Sequence, residues 1–143
     1  MRETKFTGTT RNGRNAHAND VALCSCDGRD LAQTAPSENK GMNVAPISGF
    51  DLGKQGLNDL NQRQMRIRRI TIDPGGVAAL HSHAQRPALS YILSGTLTEH
   101  RKDAPDRVYK AGEVITESTD VEHWAENKGS EPVVLVSVDL FKE

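Results

Sequence analysis

The sequence predicts an all-β fold, a sandwich or barrel of short strands, and three observations predict it. From Asn43 onward, short apolar runs are punctuated by glycine, proline and acidic turns, giving at least six strand candidates at short spacing. The closing run PVVLVSVDLF (132–141) is rich in β-branched residues, which pack well on a pleated surface. No segment holds a 3.6-residue apolar period for more than two turns, apart from GLNDLNQRQ (56–64), where one short helix is expected. Strands without helices bury their apolar faces against one another. A chain of 143 residues has room for one such core and little for a second.

Residues 1–42 have a different texture, rich in Asn, Thr, Gly, Arg, Asp and Ser, with VALC (21–24) as the single apolar knot. Such a segment buries too little to offset its ordering entropy. It is expected to be an irregular or disordered extension, ordered only by lying across the β domain of residues 43–143 or a partner subunit. Cys24 and Cys26 are too few for a disulfide scaffold. Even with His17 they fall short of a four-ligand structural zinc site.

The strands follow in order. QMRIRRITID (64–73) alternates, and its RIRR cluster reads as part of a strand rather than as a phosphate-binding patch. VAALHSHA (77–84) follows a Pro-Gly-Gly turn. ALSYILS (88–94) and TLTEHR (96–101) flank a turn at Gly95, and RVYKAGEVITE (107–117), VEHWAEN (121–127) and the C-terminal run complete the set. Gly75, Gly76, Gly95 and Gly112 fall at turns, and Asn127 precedes the Lys-Gly of another.

With 18 basic against 19 acidic side chains, the chain has no electrostatic call on nucleic acid or an anionic membrane. No apolar run approaches the roughly 18 to 20 residues of a membrane span, and MRETKFTGTTRNGR lacks the apolar segment of a signal peptide. The cytoplasm is the expected location.

The chemistry concentrates on histidine. Residues two apart in a strand share a face, so His81, His83 and Gln85 project together. Neutral imidazole binds Zn, Fe, Ni and Cu alike. A third ligand must come from elsewhere, and His123 is the best candidate, because His17 lies in the polar tail and His100 in a charged segment beyond a turn.

At this point the chain resembles the cupins. Gly75, five residues, His81-Ser82-His83, four residues, Ala88, six residues and Gly95 keep the spacing of the first cupin motif, with Ala88 where the family has glutamate. Gly112, five residues, Ser118-Thr119-Asp120, two residues, His123, three residues and Asn127 keep that of the second, with serine and aspartate in place of its proline and first turn glycine. The resemblance covers roughly Met65 to Phe141. It implies a cupin-type double-stranded β-helix, a jelly-roll barrel, holding one divalent transition metal on His81, His83 and His123. It also implies a homodimer paired through edge strands, and the apolar C-terminal run is expected to be an edge in need of protection.

Three imidazoles leave the ion its full charge. Loss of an anionic ligand weakens hard ions such as Mn and Mg more than Zn, Ni, Cu or Fe(II), and among these the resemblance to iron dioxygenases favours Fe(II), with Zn, Ni, Cu and Mn as alternatives. Cupins with three histidines that this arrangement resembles include thiol dioxygenases and ring- or diketone-cleaving dioxygenases. The leading expectation is therefore a dioxygenase-like enzyme on a small organic substrate that coordinates the metal. The alternatives are a non-catalytic small-ligand binding or sensing barrel, and a metal-dependent lyase or isomerase, whose base the sequence does not identify. Two readings of the missing glutamate stay open: a substrate group fills the room at Ala88 and Ser90, or the ligand is simply lost. Alternation puts Ser90 on the face of Ala88, with Ile92 deeper and Tyr91 on the other side. Gln85 is a weaker substrate-binding candidate, and Arg86, Arg66 and Arg68 can hold an anion by bidentate hydrogen bonds. Trp124 is expected to pack at the barrel wall or a subunit contact. Glu99, Glu113 and Glu122 are expected beside turns or facing outward, and none is singled out as a base.

Overall fold

The computed structural model describes residues 33–142. The expectations for His17, Cys24 and Cys26 lie outside them. Eight strands follow one another: β1 Lys40–Asp51, β2 Arg63–Ser82, β3 Ala88–Ser94, β4 Thr96–Arg101, β5 Arg107–Lys110, β6 Val114–Glu117, β7 Glu122–Glu126 and β8 Val133–Lys142. They form one sheet in the order β5-β4-β7-β2-β8-β3-β6, with β1 paired to β2, curled into a nearly closed barrel. Among the described residues no helix is long and apolar enough to cross a membrane.

Two expectations are corrected. GLNDLNQRQ forms no α-helix: its single 3-10 turn, Asn58–Leu60, ends where Asn61 takes an extended ψ of 143° and Gln62 a left-handed φ of +63°. The C-terminal run is not an edge, since β8 pairs with β2 on one side and β3 on the other. Its β-branched residues suit a central strand.

The Pro74-Gly75-Gly76 turn is a corner inside β2 rather than a break between strands. Residues 63–72 pair with β8, whereas Val77 to Ser82 pair with β7. Gly75 takes φ +69°, and a Cβ on Gly76 would lie 2.7 Å from the Asp73 carbonyl. Asn127 braces the corner: its Nδ2 donates to the carbonyls of Ile72 and Glu131, and its Oδ1 accepts from the Gly129 amide. By carrying one strand across the barrel, the corner sets its far end, with His81 and His83, against β7.

The core runs through Ile70, Ile72, Ala78, Ile92, Leu97, Ile115, Ala125, Val133 and Leu135, with Met42 and Tyr109 packed against it. Three neighbouring strands turn polar at the same end. Inward positions pass from Leu135 to Ser137 and Asp139 on β8, from Ile92 to Ser90 and Ala88 on β3, and from Ile115 to Glu117 on β6. The barrel therefore has an apolar floor and a polar mouth.

Gly95 closes the β3–β4 turn at φ +82°, where a Cβ would lie 2.8 Å from the Pro132 carbonyl oxygen and 2.8 Å from the Val133 Cα. Both contacts are backbone at the start of β8, beside the fully buried Val133, so neither gives way cheaply. Gly95→Ala is expected to lower stability by roughly 1–3 kcal/mol, seen as a lower urea midpoint. An unchanged midpoint would show that the turn adapts freely.

Candidate metal centre

The β2–β7 register sets His81 directly opposite His123. His83, just beyond β2, is anchored by its amide to the Val121 carbonyl at 2.8 Å. The Nε2 atom of His123 lies 3.1 Å from that of His83 and 3.1 Å from that of His81. The ligating atoms of all three lie within 4.8 Å of one another.

The Nδ1 partners decide the tautomers. His81 Nδ1 donates to the Ala79 carbonyl (2.7 Å), His83 Nδ1 to the Arg86 carbonyl (2.9 Å) and His123 Nδ1 to Glu99 Oε1 (2.5 Å). Each partner can only accept, so each proton sits on Nδ1 and each Nε2 presents a lone pair to the others. Burial pushes His81 and His83 below the ordinary histidine value, against the opposing pull of their carbonyl partners, which favours the neutral rings that ligate metals. Converging lone pairs repel unless something positive lies between them. An ion about 2.0–2.1 Å from each of two nitrogens sets them roughly 3.0–3.4 Å apart, which the two 3.1 Å separations match. The three residues fit a divalent metal on chemistry and on spacing.

Glu99 is a correction to the outward placement expected for it. β4 is covered on both faces, so Glu99 shares the inner face with Leu97 and is 1 % exposed. Besides His123, it accepts from Arg101 (2.9 Å) and Tyr109 (3.1 Å). Burial opposes its charge, but the bonds from His123 and Arg101 outweigh burial and hold its carboxyl down at about 2. It therefore orients His123 as a permanent anion. Glu99→Gln is expected to weaken metal binding about ten- to a hundredfold while leaving one site per chain, measured by calorimetric titration of the metal-free protein. Equal affinity would show that Glu99 does not orient the ring. Glu113 and Glu122 are exposed, as expected.

A cavity of 330 Å³ opens beside the histidines. His81, His83, Ser90, Glu117, Arg68 and Arg86 line its polar part, and Ile70, Ile72, Leu97, Ile115 and Leu135 its floor. Ala88 and Ser90 face inward as alternation requires, and Ser90 Oγ donates to Glu117 Oε2 at 3.1 Å. Gln85 is exposed and engaged by Arg63 through both its side-chain and backbone oxygens, and it does not line the cavity. Glu117, which the sequence reading passed over, is 7 % exposed, and burial raises its carboxyl above the ordinary value. The available signal was the alternation of VITE, which places Glu117 on the face of Ile115.

Asp139, on the inner face of β8, gathers the arginines. Arg66 binds it through Nε (2.8 Å) and Nη2 (3.1 Å), Arg68 through Nη2 (2.9 Å), and Arg86 Nε lies 3.8 Å away. One carboxylate thus faces three guanidinium groups, and Arg68 Nε is buried with no hydrogen-bond partner. Arg68 and Arg86, but not Arg66, reach the cavity wall. His100 stands apart from the cluster: its ring nitrogens bond Asp106 (2.6 Å) and Glu126 (2.9 Å), and it stacks 3.8 Å from Trp124, which packs in the wall at 5 % exposure.

Comparison with known proteins agrees with this architecture. The Cupin_2 domain of an XRE family transcriptional regulator from Enterobacter cloacae superposes with a TM-score of 0.54 at 20% identity, over 73% of this chain and 100% of that one. A predicted oxalate decarboxylase from Thermotoga maritima gives 0.55 at 22% identity over 76% and 94% of the two chains. KdgF from Halomonas sp. gives 0.55 at 14% over 71% and 82%. At such identities the likeness concerns the fold. A search of curated proteins finds no match. The family described as Cupin domain, Cupin_2, matches residues 68–139, a span that takes in both histidine motifs and half of the sequence, and the chain therefore belongs to the cupin domain family.

Proposed function

We propose that this chain is a metal-dependent enzyme acting on a small organic anion that coordinates the metal, with dioxygenase chemistry as its reaction. The observation that carries the reading is the convergence of three Nε2 lone pairs at the mouth of a 330 Å³ cavity that also presents Arg68 and Arg86. When bound, an Fe(II) ion supplies the one-electron chemistry that lets dioxygen react with an organic anion. The residues of the chain do the rest. Arg68, with its unpartnered Nε, and Arg86 offer donors to an enolate, thiolate or carboxylate in the cavity that Ser90 also lines. The apolar floor keeps that end of the cavity dry, which strengthens each polar contact.

Elemental analysis of protein purified without added metal tests the metal, and oxygen uptake with thiols, diketones and phenolic ketones tests the reaction. About one iron per chain with uptake on one of these classes is expected. Substoichiometric metal that Fe, Ni, Zn or Cu does not restore would sink the enzyme reading, and silence with every class would favour a ligand-binding barrel. One observation favours a second reading, a lyase or isomerase: Glu117 brings to the cavity wall a carboxylate able to move a proton.

The same proposal has the chain acting as a homodimer. Leu89, Tyr91 and Leu93 leave the outer face of β3 apolar, next to Val114 and Val138 on its neighbouring strands. Sedimentation velocity at micromolar concentration checks this, and a monomer throughout would exclude it.

A further inference from the structure

We propose that Glu117 is the fourth ligand of the metal centre, delivering from β6 the carboxylate that Ala88 on β3 lacks. The inference rests on the three-histidine reading and adds to it an anionic ligand from an unexpected strand. Its basis is register. Glu117 pairs directly with Ala88, so the two side chains leave adjacent points of the sheet on the same inner face. A methyl group at 88 leaves the space into which a glutamate side chain at 117 can reach. Glutamates at both positions would press two carboxylates into one buried site, where like charges disfavour each other. The small residue and the acidic one are complementary.

The atoms are already near the required arrangement. Ser90 holds Glu117 Oε2 at 3.1 Å, while Oε1 lies 3.6 Å from His123 Nε2 and 3.9 Å from His83 Nε2. Ligand atoms around one ion stand roughly 3.0–3.4 Å apart, so a rotation of the side chain by a few tenths of an ångström closes the shell. The charge points the same way. Among the described residues, the ion-pair contacts of Glu117 are imidazoles alone, with no Lys or Arg within 4.0 Å. A carboxylate 7 % exposed, without a fixed cation, beside the His83 and His123 nitrogens, which also lack one, is a costly arrangement that a divalent ion satisfies in a single step. Two consequences follow. The hard ions that a neutral three-imidazole site holds poorly regain an anionic ligand. The organic anion then takes the side of the ion turned toward Arg68 and Arg86, rather than the place beside Ala88.

The experiment titrates metal-free full-length protein anaerobically with Mn(II) and, separately, Co(II), following heat and, for Co(II), the visible absorption of the ion. Wild type, Glu117→Gln and the exchange variant Ala88→Glu/Glu117→Ala are compared. Glutamine keeps the shape and the bond to Ser90 but offers no anion. The expected result is a loss of Mn(II) affinity of about ten- to a hundredfold in Glu117→Gln, an altered Co(II) spectrum, and recovery of most of the affinity in the exchange variant. Mn(II) affinity unchanged in Glu117→Gln overturns the proposal, including the case where turnover alone is lost, since Glu117 would then be a base and not a ligand. A lowered Tm with undiminished affinity in the folded protein overturns it in favour of a packing role. Affinity lost in Glu117→Gln and not recovered in a folded exchange variant overturns the substitution of position 117 for position 88. Failure of the wild type to bind either ion counts against the three-histidine centre itself, and so is distinguished from failure of Glu117.

Discussion

His123→Ala is expected to remove metal binding altogether while the barrel stays folded. His123 is the hub of the cluster, because its Nε2 is the atom that stands 3.1 Å from both of the others. Without it, the imidazole ligands are reduced to His81 and His83, close together at the end of one strand. The loss should reach about a thousandfold or more in affinity, about 4 kcal/mol. A second effect adds to the first: Glu99, fully buried, loses its shortest partner and keeps only Arg101 and Tyr109. The fold should survive, since β7 is held by ladders to β2 and β4 that His123 does not supply through its ring. Elemental analysis and calorimetric titration read the metal, and far-ultraviolet circular dichroism reads the barrel. His81→Ala should behave alike. Full metal occupancy in either variant would mean that the ligand set is wrong.

The largest effect on stability is expected at Asp139. Its side chain has no exposure and holds Arg66 and Arg68 by three hydrogen bonds, with Arg86 nearby. Buried ion pairs add little beyond what desolvation costs, but removing one partner strands the other. Asp139→Ala leaves three guanidinium groups around an empty place, two of them largely buried. A loss of about 3–5 kcal/mol is expected, measured by urea unfolding at unchanged m-value. A loss below about 1 kcal/mol would show that the arginines swing into solvent without hindrance.

Asp139 also explains why part of the site was illegible in QMRIRRITID. Apolar residues there occupy odd positions at Met65 and Ile67 and even positions at Ile70 and Ile72, so alternation names two opposite inner faces. The unbroken register with β8 turns the even positions inward throughout, which leaves Met65 exposed and points Arg66 and Arg68 at Asp139. A cross-strand ion pair, 73 residues apart in sequence for Arg66, settles what the local pattern leaves open. Glu99 failed for a related reason. Alternation assumes one wet face, and β4 has none.

The sequence by itself determined the all-β class, the inward direction of Ala88 and Ser90, and the three histidines. These follow from spacing along one strand or from motif intervals, and a two-residue repeat is a local property of the backbone. Only the tertiary structure decided which carboxylates lie at the site. Glu99 reaches His123 across β4 and β7, and Glu117 stands beside Ala88 across β3 and β6, because partners in a sheet are chosen by register between strands. The intervals of the two motifs show where a glutamate is missing. The pairing of β3 with β6 shows which one lies beside its place.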